Sequence, residues 1–205
     1  MALTPKDAET FERCMSVGGF AVFPTDTVYG LACDPDAKET LERIYLLKRR
    51  PPTKPSAVLF FDKQLAEAAL PELPPATRAA FDALLPGAVT LLVSNPRRRY
   101  PLACGPDPET LGIRVPQMEG PMRTVKWPVL QTSANLSGEA DPRRVEDVPE
   151  RFRQAADLIL DAGELPGTPS TVIDLRGFED GTYAILREGA VSQQAVAERL
   201  AQCRP

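Results

Sequence analysis

The chain has 205 residues, with 24 lysines and arginines against 28 acids and a formal net charge of −4. That length fits one domain with a core that needs no disulfide or metal support, and the acidic balance speaks against bulk polycationic binding of nucleic acid while allowing a local basic pocket. Histidine is absent, which removes Ser-His-Asp and Cys-His catalysis, His-ligated zinc and the HExxH pattern.

In chain order, Thr4, Pro5 and Asp7 form a helix-start signature. Ala8, Phe11, Cys14 and Met15 then make an apolar stripe, and Gly18-Gly19 ends it. Phe20–Phe23 reads as a short buried strand stopped by Pro24. Asp36 is the expected cap of a second helix that carries Ala37, Leu41, Ile44, Tyr45 and Lys48 on one side and ends before Pro51-Pro52. Strands are expected at Ala57–Phe61, Val89–Val93, Leu111–Val115, Val129–Gln131, Asp157–Leu160, Thr171–Leu175 and Tyr183–Arg187, each bounded by Pro, Gly, Asp or Asn. Helices fit 63–69, 75–84, 149–155 and 192–202. Strict βαβ alternation is not visible, so the expected class is α/β (α+β): one twisted mixed sheet flanked by helices, in a single domain over 1–205. Cys14, Cys33, Cys104 and Cys203 stand apart with no CxxC and read as idle thiols of a reducing compartment. With no 18-residue apolar run and no signal-like N-terminus, the expectation is a cytoplasmic protein without membrane attachment.

The usual nucleotide loops, GxxxxGK[ST] and GxGxxG, are missing, as is GxSxG. Any nucleotide site must therefore come from scattered side chains. In Phe23-Pro-Thr-Asp-Thr-Val-Tyr-Gly-Leu31, Thr25 and Thr27 either project to one side toward a small polar ligand or form a Ser/Thr turn after the strand. Lys48, Arg49, Arg50 and Lys54 crowd four cations around Pro51-Pro52, either as a phosphate site or as a solvated run. Arg97-Arg98-Arg99 reads as solvated surface, with tRNA contact as the minor reading. Ser133 and Asn135 follow an expected strand and could floor a pocket or belong to a plain loop; Thr168-Pro-Ser-Thr171 has the same ambiguity. Arg114 alternates onto the face opposite Ile113 and Val115, so it meets either water or an anion in a cleft, and Arg187 repeats the pattern.

Taken in order, Pro24-Thr-Asp-Thr-Val-Tyr-Gly-Leu31, Lys48-x-Arg50-Pro, Pro86-Gly-x-x-Thr90, Gly112-Ile-Arg-Val-Pro116, Ser133-Ala-Asn-Leu-Ser137 and Pro169-Ser-Thr-Val-Ile-Asp174 make the chain resemble the YrdC family over roughly residues 5–190. The resemblance implies a sheet around a large concave cavity. It also implies synthesis of threonylcarbamoyl-AMP from L-threonine, bicarbonate and ATP, with release of pyrophosphate and a separate transferase acting downstream on tRNA. On this resemblance Lys48, Arg50, Ser133 and Asn135 form the catalytic set. Thr27, Arg114 and Ser170 hold threonine, with Arg114 on its carboxylate. Arg50, Lys54, Thr110, Ser133 and Arg187 contact nucleotide. No protein metal site is implied; Mg²⁺ arrives with ATP. Leu59 stands where many relatives have His, and Asp141 where a Ser often contacts nucleotide. A long C-terminal extension of some relatives is not seen, so the single-domain form is expected. Two alternatives stay open: a YrdC-like RNA-binding protein without synthase activity, and a carbamoyl-phosphate-using relative, which is usually part of a much longer chain.

Overall fold

The computed structural model describes residues 2–203. Helix α1 (Pro5–Ser16) starts at the Thr4/Asp7 capping box and buries Ala8, Phe11 and Met15. Strands β1 (Phe20–Pro24) and β2 (Tyr29–Cys33) form an antiparallel pair. Next come α2 (Lys38–Lys48), β3 (Ala57–Leu59), α3 (Lys63–Ala69), α4 (Pro75–Leu84), β4 (Val89–Ser94), α5 (Pro101–Cys104) and β5 (Thr110–Arg114). After β6 (Val129–Ser133) follow α6 (Glu150–Ala155), β7 (Leu158–Ile159), β8 (Thr171–Asp174), β9 (Ala184–Arg187) and α7 (Gln193–Leu200). Over the described residues these strands make one mixed sheet in the order β7-β1-β2-β6-β3-β5-β4-β8-β9.

Alternation along the strands sorts the sheet into two faces. Phe20, Val22, Tyr29, Leu31, Val58, Leu91, Val93, Leu111, Ile113 and Leu130 share one cluster with buried residues of α2, α4, α6 and α7. The other face differs along its length. At the β1–β2 end it carries Ala21, Phe23 and Ala32, sealed by Phe11 and Met15 of α1, with Phe61 and Met122. Toward β8 no buried apolar cluster covers it among the described residues, and a concavity remains. Its floor is small by sequence: Gln131, Ala57, Gly112 and Leu92 lie in one register row across β6, β3, β5 and β4. Gly30 keeps the neighbouring row open, because a Cβ there would stand 2.8 Å from Gln131 Nε2.

One connection crosses nearly the whole sheet. From β7 to β8 there are seven strand steps, about 34 Å at the usual spacing. The twelve residue steps from Ile159 to Thr171 reach roughly 40–43 Å when extended, enough to make that crossing with little to spare. This connection is pinned where Gly167 N donates to Thr27 O (2.8 Å), where the Tyr29 hydroxyl meets Gly163 O (2.8 Å), and where Glu164 pairs with Arg143 and Arg144.

The structure moves several expected boundaries. Strand β2 follows the Thr25 turn and was not expected: it is buried on both faces, so its sequence shows no alternation. The helix after Asp36 has Ala37 at its cap, with no side-chain cap bond. The strand from Ala57 ends at Leu59 instead of Phe61. Helix α5 and a 3-10 turn over Gly120–Thr124 were not foreseen. Among the described residues the four cysteines are free thiols, and no helix is long and apolar enough to cross a membrane.

Candidate active site

The uncovered concavity is a cavity of about 700 Å³, within the range of small-molecule sites. Its lining includes six cations (Lys48, Arg50, Lys54, Arg114, Arg176 and Arg187) against three carboxylates (Asp107, Glu139 and Asp141). The overall charge of −4 thus conceals a positive interior.

At one end the helix terminus shapes the cation cluster. In a continued helix, residues 48 and 50 would diverge by about 200°. Arg49 instead takes the left-handed conformation (φ 51°), with Arg50 N donating to Tyr45 O at 2.9 Å and Arg49 N to Leu46 O at 3.1 Å. This closes α2 and brings both flanking cations to the cavity. Lys48 is 1% exposed. Its ammonium donates to Ser133 O, to Asn135 O (2.6 Å) and, longer, to Asn135 Oδ1 (3.3 Å). Burial, then Arg50, push its pKa down to about 7, against the pull of Asp141. Arg50 stacks on Tyr45 at 5.4 Å and donates to Pro55 O (2.5 Å), while its Nε is buried without a partner. Burial holds its pKa below the ordinary guanidinium value. The Tyr45 hydroxyl bonds Lys54 O (2.9 Å) and Ser56 Oγ (2.8 Å), fixing the turn that carries Lys54. Ser133 Oγ donates to Asn135 Oδ1 (2.7 Å), and Asn135 Nδ2 to Glu139 O (2.6 Å), so the loop after β6 is a closed hydrogen-bonded unit seated on Lys48.

At the other end Arg114 is 3% exposed and already has an anion: Nη2 donates to Asp26 Oδ1 (2.5 Å) and Thr27 Oγ1 (2.6 Å), with Thr25 Oγ1 at 3.3 Å. Asp26 Oδ2 accepts from Gln117 N (3.0 Å). The Arg114 Nε is buried and unpartnered, and among the described residues Nη1 makes no hydrogen bond. The N–H groups of Nη2 are thus engaged within the protein, and Nη1 is the terminal nitrogen left without a protein partner. Ser170 Oγ bonds Thr90 Oγ1 (2.9 Å), and Arg187 donates to Ser170 O from Nη2 (2.8 Å) and Nε (3.2 Å). Thr110 Oγ1 donates to Asp107 (2.6 Å) and accepts from Arg176 Nη1 (2.9 Å).

Nine of the ten sequence candidates line this one cavity: Lys48, Arg50, Lys54, Thr110, Arg114, Ser133, Asn135, Ser170 and Arg187. Thr27 is the exception: it is buried behind Arg114 and does not line the cavity, because its hydroxyl faces Thr25 and the guanidinium. Thr25 forms the turn, accepting from Thr27 N and Val28 N (both 3.2 Å). Leu59 is sealed in the α1-side cluster, in register with Arg114. Asp141, standing where a Ser often contacts nucleotide in relatives, lines the cavity. Thr90, Gln131 and Arg176 also line it and had been given no role. Gln131 announces itself as a polar residue inside an apolar strand; Arg176 follows its strand end with no local signal. Of the Arg97–Arg99 run, Arg98 pairs with Glu109 and Arg99 with Glu72, in keeping with the surface reading.

Comparison with known proteins adds the following. A family model described as telomere recombination, covering the Sua5, YciO and YrdC proteins, matches residues 13–189. A threonylcarbamoyl-AMP synthase of Stenotrophomonas maltophilia is 34% identical over 160 residues, 75% of this chain and 84% of that protein. Another, from Pyrococcus abyssi, is 28% identical over 191 residues, 91% of this chain; the chain spans only 55% of that relative's length. The crystal structure of P. abyssi Sua5 complexed with L-threonine superposes with a TM-score of 0.83 at 25% identity, covering 100% of this chain and 60% of that one.

Proposed function

The chain belongs to the Sua5/YciO/YrdC family, and from that premise we propose that it is a threonylcarbamoyl-AMP synthase that joins L-threonine, bicarbonate and ATP and releases pyrophosphate. The observation that carries the reading is one cavity with two differently built cationic ends, Lys48/Arg50/Lys54 at one and Arg114 with Ser170 at the other. Relatives of bacterial, archaeal and human origin bear this enzyme name, and one solved neighbour is complexed with L-threonine.

In this reading the triphosphate lies against Arg50 and Lys54, which make no ion pair among the described residues and so keep their charge for it. The Ser133–Asn135 loop presents small polar groups to the nucleotide, and Lys48 holds that loop in place. Threonine lies toward Arg114 and Ser170, its carboxylate on Arg114 Nη1. The threonine nitrogen, as the free amine, forms a C–N bond to the bicarbonate carbon with loss of water, giving the carbamate, and a carbamate oxygen then attacks the α-phosphorus as the bond to the β-phosphate breaks and pyrophosphate leaves. Neither step calls for a protein nucleophile or an imidazole; both call for two substrates held in line within a charged cavity. Mg²⁺ carried on the triphosphate supplies further charge neutralisation at the pyrophosphate; among the described residues no three carboxylates or thiols gather to hold a metal of their own. The product is a reactive mixed anhydride that a downstream tRNA-modifying transferase would consume in the cytoplasm.

The test is incubation with ATP, bicarbonate and either threonine, serine or no amino acid, with mass spectrometry of the acyl-adenylate and assay of pyrophosphate. We expect adenylate and pyrophosphate only with the full set, threonine being preferred. Pyrophosphate release that ignores threonine, or tight binding of double-stranded RNA with no turnover, would replace the synthase reading by the RNA-binding one.

A further inference from the structure

Six cations in one cavity raise a problem of discrimination, because a polyanion such as ATP should settle wherever positive charge is richest. The two ends differ in one respect. Among the described residues Lys48, Arg50 and Lys54 have no carboxylate within ion-pair distance, whereas Arg114 is paired with Asp26 at 2.5 Å, both side chains being nearly inaccessible (3% and 7%). Arg187 also faces this end, from the exposed edge strand; it makes no ion pair among the described residues, and its guanidinium is held on the Ser170 carbonyl. Asp26 does not line the cavity. It stands behind Arg114, fixed by Gln117 N, and takes up Nη2 so that Nη1 is left for a ligand.

A guanidinium compensated in this way presents a directional N–H with little net field. A zwitterion gains from it, since its carboxylate meets the N–H while its own ammonium balances the charge. A phosphate dianion gains little. We propose that Asp26 is a specificity-determining residue: by neutralising Arg114 it reserves that end of the cavity for the amino acid and turns phosphate groups toward Arg50 and Lys54. The proposal rests on the synthase reading and adds to it a residue that acts through Arg114.

The experiment titrates threonine into the full-length wild-type protein and the Asp26→Asn protein by calorimetry, at rising concentrations of inorganic phosphate. In the wild type, phosphate should weaken threonine binding little. In Asp26→Asn, phosphate should compete with threonine and lower its apparent affinity at least about fivefold. Unchanged phosphate sensitivity in a folded Asp26→Asn protein overturns the proposal. Asp26→Glu keeps the charge but shifts it, so threonine should bind more weakly with no new phosphate competition; if competition appears there, the proposal also fails. Should Asp26→Asn not fold, as thermal unfolding would tell, Asp26→Glu carries the test. A wild type that binds no threonine refutes the synthase reading itself, whereas a wild type that binds it beside an unaltered Asp26→Asn refutes only the role of Asp26.

Discussion

Lys48 and Arg114 bring their charges into the same cavity wall at 1% and 3% exposure, yet one is compensated by dipoles and the other by a full opposite charge. Lys48 rests on two carbonyls and one amide oxygen. Nothing fixes its charge, and burial beside Arg50 lowers its pKa to about 7. Arg114 is a guanidinium, which keeps its proton under any ordinary condition, and its burial is offset by Asp26. The difference teaches that a cation cluster in sequence is not one kind of object. At the Lys48 end positive charge is left over for a ligand; at Arg114 it is spent inside the protein, and geometry remains.

Arg50→Ala breaks the comparison hardest, because it removes a part-buried guanidinium with no ion pair among the described residues from the uncompensated end. We expect adenylate formation to fall at least about 100-fold, ~2.7 kcal/mol of transition-state stabilisation, measured as kcat/KM for ATP. The cost in stability should be about 1 kcal/mol, since Arg50 is stacked on Tyr45 and is no free surface side chain. Near-wild-type turnover would end the assignment.

Arg114→Lys probes the other end. An ammonium keeps the charge but cannot serve Asp26, Thr27 and the cavity from fixed directions. Threonine should bind at least about tenfold more weakly, ~1.4 kcal/mol, with ATP affinity changed much less. An equal loss for both ligands would show that the two ends are not separate.

The pH dependence of stability sharpens the contrast. Lys48 titrates near 10.5 in the unfolded chain and about 7 in the folded one. Below pH 7 both states hold the proton and the burial penalty is fully present. Above pH 7 the unfolded chain binds more protons, so stability rises with pH, by roughly 1 kcal/mol between pH 7 and 8 from this group. Denaturant titrations should show that rise and show it flattened in Lys48→Met, whereas Arg114 contributes nothing in that window. A rise that survives in Lys48→Met would return the effect to other groups.

The smallest effect belongs to Arg49, whose φ of 51° is a conformation that costs a side chain little only when it is glycine. Arg49→Gly should keep activity and change stability by less than about 1 kcal/mol, while Arg49→Val, β-branched in the left-handed region, should lose both. The Tm and activity of the two variants together test whether this turn aims Lys48 and Arg50.

Local pattern alone fixes much of the scaffold. The bounds of α3 and α4 are readable from turn residues and periodicity, as is the alternation that sends Arg114 to the face opposite Ile113. Those signals lie within a few residues of one another, and backbone geometry converts them directly into direction. The motifs between Pro24 and Asp174 also contain six candidate residues that meet in one cavity: Lys48, Arg50, Arg114, Ser133, Asn135 and Ser170. Tertiary structure alone decided the rest. Strand β2 is buried on both faces, so its sequence carries no period. Thr27 and Asp26 point at Arg114 across 87 and 88 residues of chain, a distance over which no spacing rule operates. Whether a buried charge is spent on a partner or kept for a ligand depends on which groups stand within a few ångströms of it, and only the assembled sheet brings those groups together.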